Sequence, residues 1–143
     1  YGREFPQFNL IDSGQWNLFL SELEGVSKEK GDQFLDIGCG MGHGTLEVAK
    51  HFKVEGVGID FSKSAIQKAM NLQEGLNPPI SFQVRNFHDP NFLEETQKFK
   101  VIFSFSLACL LDLPVKALIR NLVASCKVMM LMLSQYGQGE TKV

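Results

Sequence analysis

Residues Phe34 to Thr45 constrain the fold more than any other stretch. The apolar run Phe34-Leu35-Asp36-Ile37 breaks at once into Gly38-Cys39-Gly40-Met41-Gly42-His43-Gly44, with glycines at alternate positions, before a helical pattern begins. Such a stretch reads as strand, tight turn and helix. Glycine is used where backbone must take positive φ or lie directly against something else, so Gly38, Gly40 and Gly42 mark a place where main chain is closely approached. Twenty residues beyond Gly40 a second apolar run, Val57-Gly58-Ile59, ends in Asp60. In doubly wound α/β folds an acid at the tip of the second strand hydrogen-bonds the hydroxyls of an adenosine ribose. Together the two signals imply an adenosine-containing cofactor.

The remainder of the chain alternates strands and helices around this unit. Asp12 and Ser13 are helix-capping residues, Trp16, Leu18, Phe19, Leu20 and Leu23 follow at helical spacing in a helix that closes at Gly25, and Gln33 to Ile37 is a strand apolar enough to be buried on both faces. Leu46, Val48, Ala49 and Phe52 define the crossover helix, and Val54 to Ile59 the second strand. Ser62 is an N-cap for a helix over Ala65 to Leu72 that Gly75 stops; Ile80, Phe82 and Val84 alternate as a third strand. A short helix after Asp89-Pro90, a fourth strand over Val101 to Phe105, a helix after Asp112 and a fifth strand over Val128 to Leu133 complete the pattern. The expectation is a three-layer α/β fold: a mainly parallel twisted sheet of about five strands with helices on both faces. It makes one domain over 1–143, with an N-terminal coil at 1–11 and a polar tail at 134–143.

Composition narrows the function classes. At 143 residues and 44% hydrophobic the chain supports one core. A net charge of −2 and the absence of a basic stripe do not indicate a nucleic-acid partner. Cys39, Cys109 and Cys126 lie far apart with no CxxC pair, which suggests reduced thiols in a cytoplasmic or nuclear compartment and offers no metal-ligand spacing. The apolar runs are too short or interrupted to span a bilayer. Tyr1-Gly2-Arg3-Glu4 is not an initiator, so the expectation is that the sequence begins inside a longer chain.

The chain resembles the class I (Rossmann-like) S-adenosylmethionine-dependent methyltransferases. The resemblance rests on Asp36-Ile37-Gly38-Cys39-Gly40-Met41-Gly42 as the acid-x-Gly-x-Gly-x-Gly loop, on Gly58-Ile59-Asp60-Phe61-Ser62 as the acidic end of strand two, and on Phe99 to Ser106 as strand four. It covers about Asp12 to Leu133. The chain departs from that pattern in carrying Asn86 where an acid usually follows strand three, and in having no Asn/Asp-Pro-Pro-Tyr/Phe after strand four. Nothing after Leu133 could supply the two last strands usual in the fold. A much weaker likeness, at Tyr1-Gly2-Arg3-Glu4, is to the Dot1 type of histone lysine methyltransferase; the inserted Arg3, and Ser104-Phe105-Ser106 in place of Asn-Asn-Phe, depart from it.

The resemblance implies S-adenosylmethionine as cofactor, S-adenosylhomocysteine as product, and a set of binding residues. Gly38, Cys39, Gly40 and Gly42 would bring backbone under the methionyl and ribose portions, Cys39 because only a small side chain fits. Asp36 would orient the loop and meet the methionyl ammonium directly or through water, or be a plain strand-end acid. Asp60 would accept from both ribose hydroxyls, or cap the next helix. Phe61 and Phe87 would flank adenine or belong to the core, Asn86 would hydrogen-bond adenine, and Ser104 and Phe105 would line the site through backbone carbonyls. His43 faces either the methionyl carboxylate or solvent, and His88 and Asp89 are either a base near the acceptor or loop and cap. Methyl transfer is an in-line displacement that needs orientation more than a side-chain catalyst, so no catalytic residue is assigned.

Two other readings share parts of this pattern. An NAD-binding oxidoreductase domain also carries an acid about 20 residues after a glycine loop, but wants Gly-x-Gly-x-x-Gly, and here His43 or Thr45 falls at the third position. A non-catalytic binding or regulatory module would keep the fold alone. The methyl acceptor is expected to be a protein or a small molecule; oligomeric state has no signature.

Overall fold

Gln33–Ile37 forms the central strand, β1, and the register of its neighbours sets which residues meet at the strand carboxyl ends. The computed structural model describes residues 13–73, 80–86, 98–104, 124 and 128–129. Within them Ser13–Glu24 is α1, His43–Phe52 α2, Glu55–Asp60 β2, Lys63–Leu72 α3, Ile80–Val84 β3, Val101–Phe103 β4 and Val128–Met129 β5. The strands are all parallel, in the order β3-β2-β1-β4-β5. Winding therefore reverses between β1 and β4, and ligands of open α/β sheets bind outside the strand carboxyl ends at such a reversal.

Boundaries differ from the sequence reading by a residue or two. β2 starts at Glu55 and includes Asp60, and β4 ends at Phe103. The helices expected after Asp89 and Asp112, most of the last strand, the coil at 1–11 and the tail at 134–143 lie outside the described residues.

Local chemistry ends the elements where they end. Ser62, extended at φ −87°, accepts from the Ala65 N–H at 3.2 Å and starts α3. Lys53 closes α2 in the left-handed region, φ 60°, with its N–H on the Ala49 carbonyl. Lys50 and His51 stand in the last turn of α2, where positive charge complements the helix dipole. His51 Nδ1 lies 3.8 Å from Glu24 of α1, a partly exposed pair that contributes little.

Alternation along the strands explains the core. Register sets Phe34 beside Gly56 and Asp36 beside Gly58, with Ile80 and Phe82 beyond them on β3 and Val101 and Phe103 on β4, so these residues share one face. Aromatic rings fill the space that the β2 glycines leave. A Cβ on Gly56 would fall inside the Phe34 ring, and one on Gly58 would lie 2.8 Å from Phe82. Onto this face α1 brings Phe19 and Leu23, α2 Val48 and Phe52, and α3 Ile66 and Ala69, all buried in one cluster. The Phe19 ring meets Phe103 edge-on at 5.3 Å, and Phe103 lies 5.6 Å from Phe34, which pins α1 across β4 and β1. Leu35, Ile37, Ile59 and Ile102, on the opposite face, are each at most 2% exposed. β1 is thus buried on both faces, as its unbroken apolar run predicts.

Candidate functional site

The strand carboxyl ends meet at one edge: Ile37 pairs with Ile59, Asp60 with Val84, and Asp36 with Phe103. Leaving β1, the chain turns tightly back over β2. The N–H groups of Gly38 and Cys39 both donate to the Ile59 carbonyl at 2.9 Å, and the Gly42 N–H closes the turn on the Cys39 carbonyl at 3.0 Å. Gly38, Gly40 and Gly42 all have positive φ.

These glycines serve different ends. Gly40, at φ +58°, has open space where a Cβ would stand, with nothing within 4 Å. Gly42, at φ +88°, is sealed: a Cβ there would lie 2.8 Å from Phe82 and 2.9 Å from Ala69. Close packing of the turn on β3 and α3 is therefore enough to require glycine at 42, whereas at 40 the required conformation coincides with open space.

Asp60 reaches this turn from the tip of β2. Its Oδ2 accepts from the Gly40 N–H and its Oδ1 from the Ser62 N–H, each at 2.9 Å. A carboxylate oxygen accepts about two hydrogen bonds, so each retains capacity for a second donor such as one of two adjacent hydroxyls. The helix that follows is capped by the Ser62 side chain, which leaves Asp60 for the turn.

Asp36 is of a different kind. It is 1% exposed; the Thr45 hydroxyl donates to Oδ2 at 2.7 Å, while Oδ1 is buried with no partner. Burial pushes its carboxyl up to about 8, the Thr45 hydrogen bond holds it lower than burial alone would, and the charge of Asp60 adds a smaller upward push. Thr45, in the first turn of α2 and fully buried, was not singled out for the site by the sequence reading. A hydroxyl one helical turn into the crossover helix, nine residues after a strand-end acid, is the signal that could have found it.

The other expected residues are placed as follows. Cys39 is buried, with Sγ donating to the Gly40 carbonyl at 3.6 Å; burial, then the charges of Asp36 and Asp60, push its thiol far up, so it is no nucleophile. Phe61 follows Asp60 and is 66% exposed, which excludes the core reading for it. Asn86 is exposed just beyond β3, and the neighbouring Arg85 N–H binds the Asp60 carbonyl at 2.9 Å. Ser104 is buried directly after β4. His43 opens α2 half-buried, and desolvation lowers its pKa, which leaves the imidazole neutral at pH 7. Phe87, His88, Asp89 and Phe105 lie outside the described residues.

An adenosyl group fits this chemistry. The open main chain at Gly40, the two oxygens of Asp60 and the unpartnered oxygen of Asp36 offer, in order, a flat approach, a diol acceptor and a partner for a cation. The sheet order and the glycine turn at its reversal agree with the class I S-adenosylmethionine-dependent methyltransferase fold that the sequence resembles.

The chain belongs to the methyltransferase domain family, which matches over residues 28–137. It is 31% identical over 104 residues to phosphoethanolamine N-methyltransferase 1 of Arabidopsis thaliana, and 36% identical over 104 residues to phosphoethanolamine N-methyltransferase 3 of the same plant. Each match covers 73% of this chain, which spans about a fifth (21%) of the length of those curated relatives. Among solved structures, the plantazolicin methyltransferase BamL, in complex with a triazolic desmethylPZN analog and SAH, is 30% identical. It matches with a TM-score of 0.58 over 78% of this chain and 40% of its own. The matching family and these relatives are methyltransferases, which favours the S-adenosylmethionine expectation over the NAD-binding one. Among the described residues no helix is long and apolar enough to cross a membrane.

Proposed function

We propose that residues 1–143 form one cofactor-binding domain of an enzyme that methylates a small-molecule amine, with phosphoethanolamine as the first acceptor to test. The observation that carries the reading is the Asp60 carboxylate, which accepts a main-chain N–H on each oxygen, one of them from Gly40, whose own Cβ position is open. The plant relatives named as phosphoethanolamine N-methyltransferases support the acceptor class. A net charge of −2 favours a small acceptor over a nucleic acid.

Bound S-adenosylmethionine supplies the electrophile, a methyl group on a sulfonium sulfur. The chain's own part is to bind, orient and exclude water. Asp60 accepts from the ribose hydroxyls; Gly38, Cys39, Gly40 and Gly42 provide main chain beneath the ribose and methionyl portions. Asp36 faces the methionyl ammonium, directly or through one water. Phe61 and Phe87 would flank the adenine, Asn86 would hydrogen-bond it, and Ser104 and Phe105 would line the site. Orientation of acceptor and methyl in line accounts for most of the rate in a reaction whose sulfonium electrophile already carries positive charge and whose leaving group is a neutral thioether. No side chain is assigned as catalytic. The free, buried thiol of Cys39 supports a reducing cytoplasmic or nuclear setting.

Calorimetry with S-adenosylhomocysteine and, separately, NAD tests the site. Binding of the first and not the second is expected, and the reverse would overturn the reading. Transfer of labelled methyl to phosphoethanolamine, compared with the same amine lacking its phosphate, tests the acceptor; a label that enters only protein would overturn that part.

A further inference from the structure

We infer that Thr45 is a positioning residue for the methionyl end of the cofactor: its hydroxyl fixes the Asp36 carboxyl so that the free oxygen serves the α-ammonium, which therefore binds with release of a proton from Asp36. This rests on the cofactor reading above and adds to it a residue and a proton linkage.

The geometry comes first. Asp36 stands on β1 two residues before Gly38, on the same sheet face as Gly58 and Phe103, and is 1% exposed. One oxygen is taken by Thr45 at 2.7 Å and the other, equally buried, has no partner. Native proteins leave few buried polar atoms unpaired, and an orphaned oxygen two residues before the glycine turn is most simply completed by a ligand seated on that turn. Among the described residues, the groups that bear on this carboxyl are Thr45 from α2, Asp60 from β2 and Cys39 from the turn, while β4 presents the apolar Phe103 opposite. None of these is a cation. The buried carboxyl consequently holds its proton to higher pH than an exposed acid would, and Thr45 is the neighbour that opposes this by donating to the charged form. An approaching ammonium favours the carboxylate. The O–H proton of Asp36 passes to solvent, its electron pair stays on the carboxylate, and an ion pair replaces an orphaned acid.

The test compares two ligands on the full chain by calorimetry between pH 5.5 and 9. S-adenosylhomocysteine carries the ammonium; 5′-methylthioadenosine has the same nucleoside but no amino acid. The affinity of the first is expected to rise with pH by up to about tenfold per unit and then level off, while that of the second stays flat. Near neutral pH, proton release on binding S-adenosylhomocysteine appears as a heat that depends on the ionisation enthalpy of the buffer. Thr45→Val moves the levelling-off to higher pH and leaves methylthioadenosine unaffected, and Thr45→Ser restores the original profile; a merely structural threonine would move neither profile. Methylthioadenosine binding together with a flat S-adenosylhomocysteine profile overturns the proton linkage alone. Failure of both ligands to bind at any pH overturns the cofactor reading and the inference with it. Where Thr45→Val does not fold, Thr45→Ala is measured in its place with the same expected shift, and an unshifted profile overturns the role of Thr45; the wild-type pair of profiles decides the proton linkage.

Discussion

The main-chain N–H of Gly40 donates to Oδ2 of Asp60 at 2.9 Å, across twenty residues of sequence. The glycine turn after β1 and the tip of β2 are thereby one unit, since the acid that would take the ribose also holds the turn that would lie beneath it. Binding and pre-organisation run through the same carboxylate.

Asp60→Ala therefore removes both at once. Hydrogen bonds to a charged group contribute about 1.5–3 kcal/mol each, so loss of one or two such bonds to the ligand should weaken S-adenosylhomocysteine by at least about tenfold. Calorimetry reads the affinity and circular dichroism the fold. Unchanged affinity in a folded variant would exclude Asp60 from the sugar.

Gly40 and Gly42 should respond differently to alanine. At Gly42 the new Cβ meets Phe82 and Ala69 below 3 Å, and overpacking costs about 1–3 kcal/mol beyond the left-handed backbone penalty. At Gly40 only the backbone penalty of about 1–2 kcal/mol applies, because the space is open. Denaturant midpoints should fall further for Gly42→Ala, while ligand affinity per folded molecule should suffer more for Gly40→Ala. Equal midpoints would contradict the division of labour between the two glycines.

Asp36 makes the ligand-free protein less stable as pH rises. Its carboxyl moves from 3.8 to about 8 on folding, so within that window the native state keeps a proton that the unfolded state has released. The slope of stability with pH is then negative, and the penalty grows until about pH 8 and levels off above it. Asp36→Asn carries no such proton. The stability of the variant relative to wild type, from denaturation at pH 5, 6.5 and 8, should increase steadily; a constant difference would place the Asp36 carboxyl in its ordinary range.

Phe61 tests whether an exposed ring serves the ligand. Phe61→Ala removes a side chain that is 66% exposed, so the melting temperature should stay within a degree or two of wild type. An aromatic stacking contact with adenine contributes about 0.5–1.5 kcal/mol, which corresponds to a loss of roughly two- to twelvefold in affinity for S-adenosylhomocysteine. A thermal shift assay with and without ligand distinguishes the two effects. A lower melting point without ligand would return Phe61 to the core.

Local signals made much of the site readable before any fold was known. A glycine turn after an apolar strand, an acid closing the next strand, Ser62 as a cap and the stripes of α2 and α3 each depend on residues within a few positions of one another. Backbone dihedrals and helix periodicity act at that range. Asp60 at the end of β2 was legible for the same reason, and so was the parallel sheet, through strict alternation of elements, whereas the exposure of Phe61 was not, since its neighbours in sequence fit a core ring as well.

Sequence alone determined the class of fold, the place of the turn and the acid that faces it, because these follow from short-range sterics and the order of elements. Tertiary structure alone decided which glycine is open and which is sealed, since Phe82 and Ala69 reach Gly42 from separate elements. It also decided that Thr45 holds Asp36 and that one buried oxygen is left over, because burial and hydrogen-bond partners exist only once β1, β2 and α2 are packed together. A carboxyl's charge is a property of its surroundings, and those surroundings come from chain segments that the linear order keeps apart.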